Sequence, residues 1–191
     1  MGRLFKFCVA SVFGLVLSLE VCAQHEHHHD HHHHHHGMTL DKDGMVMNEN
    51  ADELPQDCEA ISEELSFEIR VGRQYAQAGR AYGFSAHEIR VPGCAKITVT
   101  LINDDQVRHQ WMVHGLPKYL YPQGMFHLET SGGKTKSGTF IVPSDDVTYL
   151  AHCDLSQHME QGLKGQVVVG RGSGDLPGIP GISGSLYPDR Y

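Results

Sequence analysis

The chain has 191 residues, with 15 Lys and Arg against 23 Asp and Glu and a formal net charge of −8 at neutral pH. That length holds one domain of ordinary size with appendages, and the acidic balance excludes a nucleic-acid-binding surface, which needs basic residues in excess. Histidine is the outlying residue, 16 in all, and a bias this strong toward imidazole points to metal.

In chain order, Arg3 and Lys6 precede an apolar run from Phe7 to Leu19, and Val21-Cys22-Ala23 supplies the small residues a signal peptidase reads. This predicts a secretory signal peptide over residues 1–23, cleaved after Ala23, with the mature chain exported to a periplasm or the cell exterior. An uncleaved anchor is the competing reading, although the run is short for a membrane span. No second apolar stretch approaches spanning length, so no membrane insertion is expected of the mature chain.

Residues 24–63 form the second segment. His25, His27, His28, His29, His31, His32, His33, His34, His35 and His36 crowd together, interrupted by Glu26 and Asp30, and Met38, Met45 and Met47 follow. Neutral imidazoles suit Cu(II), Ni(II) or Zn(II), and thioethers favour Cu(I). With few large apolar residues, the segment is expected to be largely disordered without metal. A purification tag and a generic metal buffer are the other readings of the tract.

From residue 64 the pattern becomes that of strands. Residues 67–71, 87–91, 96–103, 109–114, 138–142, 147–153 and 165–170 are short, rich in β-branched and aromatic residues, and punctuated by Gly, Pro, Asn and Asp. They predict an all-β domain over residues 64–170, a single antiparallel β-sandwich. The connection 115–137, with Pro117, Pro122 and Gly132-Gly133, is expected to hold a short helix or a hairpin. Residues 171–191 are Gly/Pro-rich and read as a loosely attached tail.

Cleavage of the signal peptide leaves Cys58, Cys94 and Cys153. An odd number in an oxidising compartment suggests one pair and one cysteine with another task. Cys58 with Cys94 is the expected disulfide; free thiols or additional soft copper ligands are the alternatives.

Cys153 is set apart by the run HCDLSQHMEQGLKG, residues 152–165, which places it at a strand end with His158 five residues on. A thiolate and two imidazoles in a trigonal arrangement make a type 1 copper site, and His109, on a neighbouring strand, is placed to supply the second imidazole. The competing reading is a buried structural thiol.

These residues, with the strand ending at Asn103 ahead of His109 and the run FIVPSDDVTYLAHC, resemble the cupredoxin family over roughly residues 64–170. The resemblance implies a Greek-key sandwich, copper cycling between Cu(I) and Cu(II), and His109, Cys153 and His158 as its ligands. For the axial position two residues stay open. Leu163 stands ten residues after the cysteine, where family members carry Met or Leu, and Met159 is the nearest thioether. Met112 and Met125 are more remote and read as core or loop packing.

His114 and His152 stand at spacings that belong to a second copper in copper nitrite reductases and multicopper oxidases. The resemblance implies an incomplete, open second site, with two ordinary surface histidines as the alternative. Asp154 and Met112 depart from the oxidase pattern, and one domain cannot hold a complete trinuclear cluster. His87 and His127 show no partner pattern and are expected to be structural or solvated.

Joined to its His/Met-rich N-terminus, the domain resembles the CopI-type periplasmic copper-tolerance cupredoxins. That implies copper binding in tolerance and homeostasis, with oxidation of Cu(I) to Cu(II) and a redox partner protein, and no conventional enzyme activity. The alternatives are a small blue or green copper electron-transfer protein and, further off, a copper enzyme of nitrite reductase or multicopper oxidase type.

Overall fold

The computed structural model describes residues 37–183. The expected signal peptide, the histidine tract at 25–36 and positions 184–191 of the tail lie outside the described residues. Within them the chain runs β1 (Met38–Asp41), β2 (Gly44–Met47), β3 (Glu64–Gly72), β4 (Gly83–Phe84), β5 (Glu88–Val91), β6 (Lys96–Asn103), β7 (His109–His114), β8 (Met125–Thr130), β9 (Thr135–Ile141), β10 (Val147–His152) and β11 (Lys164–Val169). Short 3-10 turns at Arg73–Tyr75 and Pro122–Gly124 complete the regular structure.

The strands form a seven-stranded sheet, ordered β1-β2-β8-β7-β10-β11-β5, and a four-stranded sheet, ordered β4-β3-β6-β9. Two pairings, β3 with β6 and β11 with β5, are parallel within an otherwise antiparallel arrangement. Strict alternation in β6 turns Ile97, Val99 and Leu101 inward, all fully buried. From the larger sheet Trp111, Val113, Phe126 and Leu128 meet them in one apolar cluster. Each such side chain withdrawn from water stabilises the fold by about 1.5–3 kcal/mol, so this inner layer holds the two sheets together.

All seven strands expected from the sequence are present, and the sandwich is as predicted. The expectation of disorder up to residue 63 does not hold from Met38 onward. β1 and β2 form a hairpin whose turn is closed by the Asp41 carboxylate, which accepts from the Asp43 and Gly44 amides. β2 then pairs with β8, Val46 opposite Leu128. The approach is so close that any Cβ at Gly44 would run into the Glu129 carbonyl. Two four-residue strands do not stand alone in water, but the open edge of a sheet offers the backbone partners they need.

The stretch after β2 is fastened by side chains. Asn48 donates to the carbonyls of Pro122 and Met125, and Asn50 donates to Glu53 O and to the Tyr121 hydroxyl. That hydroxyl also donates to Ile141 O and accepts from the Ile141 amide. Cys58 and Cys94 are disulfide-bonded, as expected.

The 115–137 connection holds a 3-10 turn and a full strand, β8, which forms a hairpin with β7. The first part of the tail is attached, not loose. Ile179 is fully buried, Gln166 bonds Asp175 and the Leu176 amide, and Lys164 bonds Pro177 O.

Candidate metal centre

The site is built at one end of β7 and β10, which are neighbours in the larger sheet with Ala151 opposite Val113 and His152 opposite Met112. Side chains alternate between the faces of a strand. On β7 this sends Trp111 and Val113 into the core with His109 on the same side, and Gln110, Met112 and His114 to the outer face. On β10 it sends His152 outward, and Cys153, one residue on, enters the core cluster.

The loop after Cys153 brings His158 back toward it. The His158 amide donates to Leu155 O, the Leu163 amide to His158 O, and the Cys153 amide to Leu163 O. Gly162 adopts a φ of 113° against the Tyr82 carbonyl, where a Cβ would collide. Leu163 is therefore bonded through its backbone to both Cys153 and His158.

The donor atoms of His109, Cys153 and His158 all lie within 4.8 Å of one another, and they form the one such group of His, Cys or carboxylate ligands among the described residues. Cys153 Sγ stands 3.5 Å from His158 Nδ1. His109 Nε2 is held 2.9 Å from Asp105 Oδ2, which leaves Nδ1 buried without a protein partner. Asp105 is itself placed by Asn103, whose Oδ1 accepts its amide and whose Nδ2 donates to Val107 O. The Tyr82 ring sits 4.9 Å from the His109 ring and 4.7 Å from the His158 ring, covering both.

Burial sets the electrostatics. It pushes the Cys153 thiol up to about 11, and pulls both His109 and His158 below the ordinary imidazole range. The metal-free site at neutral pH thus holds a thiol and two neutral imidazoles, and loading a metal displaces the thiol proton. One soft sulfur, two imidazole nitrogens and an orphaned Nδ1 in a dry pocket are the donor chemistry of a cysteine-ligated copper.

The two axial candidates part company. Leu163 is fully buried in the cluster that contains Cys153. Met159 is half-buried and lines surface clefts, one with Gln77 and Arg80, the other with His152 and Asp154. On the outer face the His114 and His152 rings stack at 4.8 Å. His127, expected to be structural or solvated, is only 4 % exposed and has no protein partner on either ring nitrogen. Met112 and Met125 are buried, as a packing role requires, but lie on the outer face, outside the main apolar cluster. His87 bonds Lys164 O through Nδ1 and is structural, as expected. Asp105 and Tyr82 were missed. Asp105 could have been sought as an acid four residues before a ligand histidine; Tyr82 left no local signal.

A two-sheet β-sandwich with a thiol and two imidazoles gathered at the end of neighbouring strands is a cupredoxin-like fold, and copper is the cofactor these donors fit. No protein-family model and no curated protein matches the chain. Among solved structures it is similar to auracyanin A, a "blue" copper protein of Chloroflexus aurantiacus, at 21% identity over 55% of this chain and 99% of that one, with a TM-score of 0.42. It is also similar to the multicopper oxidase mgLAC, at 17% identity over 59% of this chain with a TM-score of 0.43. A copper-containing nitrite reductase of Thermus scotoductus matches at 14% identity over 61%, with a TM-score of 0.44. The chain spans 40% of that oxidase and 36% of that reductase. Among the described residues no helix is long and apolar enough to cross a membrane.

Proposed function

We propose that this chain is a periplasmic copper protein of copper tolerance and homeostasis, with a type 1 copper held by His109, Cys153 and His158. The observation that carries this reading is the convergence of those three donors within 4.8 Å. These three residues would hold the copper, which would supply one-electron Cu(I)/Cu(II) chemistry. Leu163, which has no donor atom, is buried beside Cys153 where Met159 is not; with Leu163 there the site would have three strong ligands and would favour Cu(I).

The residues around the site have separable tasks. Asp105 fixes the orientation of His109 by holding Nε2, which leaves Nδ1 free to face the metal. Tyr82 shields both rings from water. His25 to His36 with Met38, Met45 and Met47 supply the surface that captures copper from solution. A captured Cu(I) ion is then the substrate. It gives up one electron, leaves as Cu(II), and the electron goes to an external redox partner protein.

A plain electron carrier is the second reading, favoured by how completely the interior site is preformed. Deleting residues 25–36 separates the two, because it leaves the β1–β2 hairpin in place. Copper tolerance and copper loading should fall while the Cys153-dependent absorption persists. Unchanged tolerance and loading would hand the assignment to the carrier.

A further inference from the structure

His114, His127 and His152 share the outer face of the larger sheet. In register across four strands, Met47 lies opposite His127, His127 opposite Met112, and Met112 opposite His152. His114 is two residues beyond Met112 on the same face of β7 and stands opposite Met125. Directly opposed side chains on one face of a sheet lie about 4.5–5.5 Å apart at Cβ. The topology therefore groups three imidazoles and several thioethers around Met112.

Four ring nitrogens in this group are buried without a protein partner: His114 Nε2, both nitrogens of His127, and His152 Nδ1. His127 and His152 are more than nine-tenths buried. Buried polar atoms in native proteins are almost always paired, and a cluster of unpaired ones signals a missing ligand. Burial lowers the pKa of both His114 and His127, so they are neutral, unprotonated donors at neutral pH. Asp154 acts electrostatically on both of these rings, and Glu129 on His127, each favouring a positive charge. The Glu129 carboxylate is already engaged by Gln110 and Arg108, so it acts through its field, not as a ligand.

We propose that this outer face carries a second copper site, with His114, His127 and His152 as ligands and the Met112 and Met47 thioethers completing it, and that it takes Cu(I). The donors are all of the soft or borderline type that suits the cuprous ion. The imidazoles come from three strands and do not form a closed group as they stand, so binding draws the rings inward by side-chain rotation. His114 and His152, already 4.8 Å apart, need to move least. The proposal rests on the copper-handling reading and places where a cuprous ion captured by the tract is then held.

The test is anaerobic titration of the full mature chain with Cu(I) against a chromophoric chelator, wild type beside a His114→Gln/His127→Gln variant. The histidine tract is common to both, so the difference isolates the sheet. The variant should lose one equivalent of tightly held Cu(I) and keep the Cys153-dependent absorption; equal equivalents would overturn the site. Should the double variant fail to fold, titration of the wild type with Ag(I), a diamagnetic stand-in, followed by NMR of the imidazole nitrogens serves instead. His127 resonances should shift at low Ag(I), and unmoved His127 signals would overturn the proposal. Met112→Leu should weaken Cu(I) binding by about tenfold and leave Cu(II) unaffected; equal loss for both ions would remove the thioether. A chain without effect on copper tolerance would still show the extra equivalent, so the two readings fail separately.

Discussion

The two faces of the β7–β10 pair carry histidines at matching places but have opposite characters. On the inner side His109, Cys153 and His158 are drawn within 4.8 Å, one imidazole is held by Asp105, and Tyr82 covers the rings. On the outer side His114, His127 and His152 are spread over three strands, with four ring nitrogens that have no partner among the described residues. The difference shows how one strand pair can carry a converged donor group on one face and a dispersed one on the other. Period-two alternation places Cys153 and His152 on opposite faces although they are adjacent in the chain. A loop then brings His158 back to close the inner site.

The largest effect should come from the inner side alone. Cys153→Ala removes the one sulfur of the trio and should abolish intense visible absorption and the type 1 EPR signal, leaving copper bound elsewhere on the chain. An unchanged spectrum would erase the distinction between the faces.

Next is the support of His109. Asp105→Ala frees Nε2 and lets the ring turn, and should weaken copper at the inner site by roughly 10–100-fold, read by chelator competition. The outer face, with no such carboxylate, should bind as before.

The inner site should also be the more pH-sensitive in the alkaline range. Its thiol is pushed up to about 11 by burial, which also holds His109 and His158 below the ordinary imidazole range. Between pH 7 and 9 the imidazoles are already neutral and the thiol is still protonated. Loading then releases one proton, and apparent affinity rises by about tenfold per pH unit. Calorimetry in buffers of different ionisation enthalpy measures that proton; a value of zero would contradict a buried neutral thiol. Outer-site affinity should be nearly flat over the same range.

Smallest on copper, though not on stability, is Tyr121→Phe. The hydroxyl serves Ile141 N–H, Ile141 O and Asn50 at once, and its loss strands buried partners at about 2 kcal/mol. Urea unfolding should show that decrease with the visible absorption intact, which would separate the fastening of the N-terminal segment from the metal chemistry.

The inner ligands were legible because each sits in a local pattern: Cys153 and His158 in one short loop, His109 at the head of an alternating strand. β8 was not legible as a strand. Its sequence, MFHLET, lies between Pro122 and Gly132-Gly133, and its polar positions read as those of a connection. Only pairing with β7 and β2 makes Met125, His127 and Glu129 one face of a sheet. β1 and β2 were hidden for a related reason. MTLD and GMVM bury too little on their own to be read as structure, and their stability comes from the β8 edge. Tyr82 reaches the ligands from a loop far away in sequence, which no periodicity reports.

The sequence by itself therefore determined the sandwich and singled out His109, Cys153 and His158 as one donor group, and cysteine parity pointed to a Cys58–Cys94 pair without excluding free thiols, since alternation, short spacings and parity are properties of neighbouring residues or simple counts. Tertiary structure alone decided that Leu163 and not Met159 is buried beside Cys153, that Asp105 holds His109, and that His127 and the methionines gather beside His114 and His152. Those relations depend on strand order and register, which bring distant residues to one face and are set by the packing of the whole sheet.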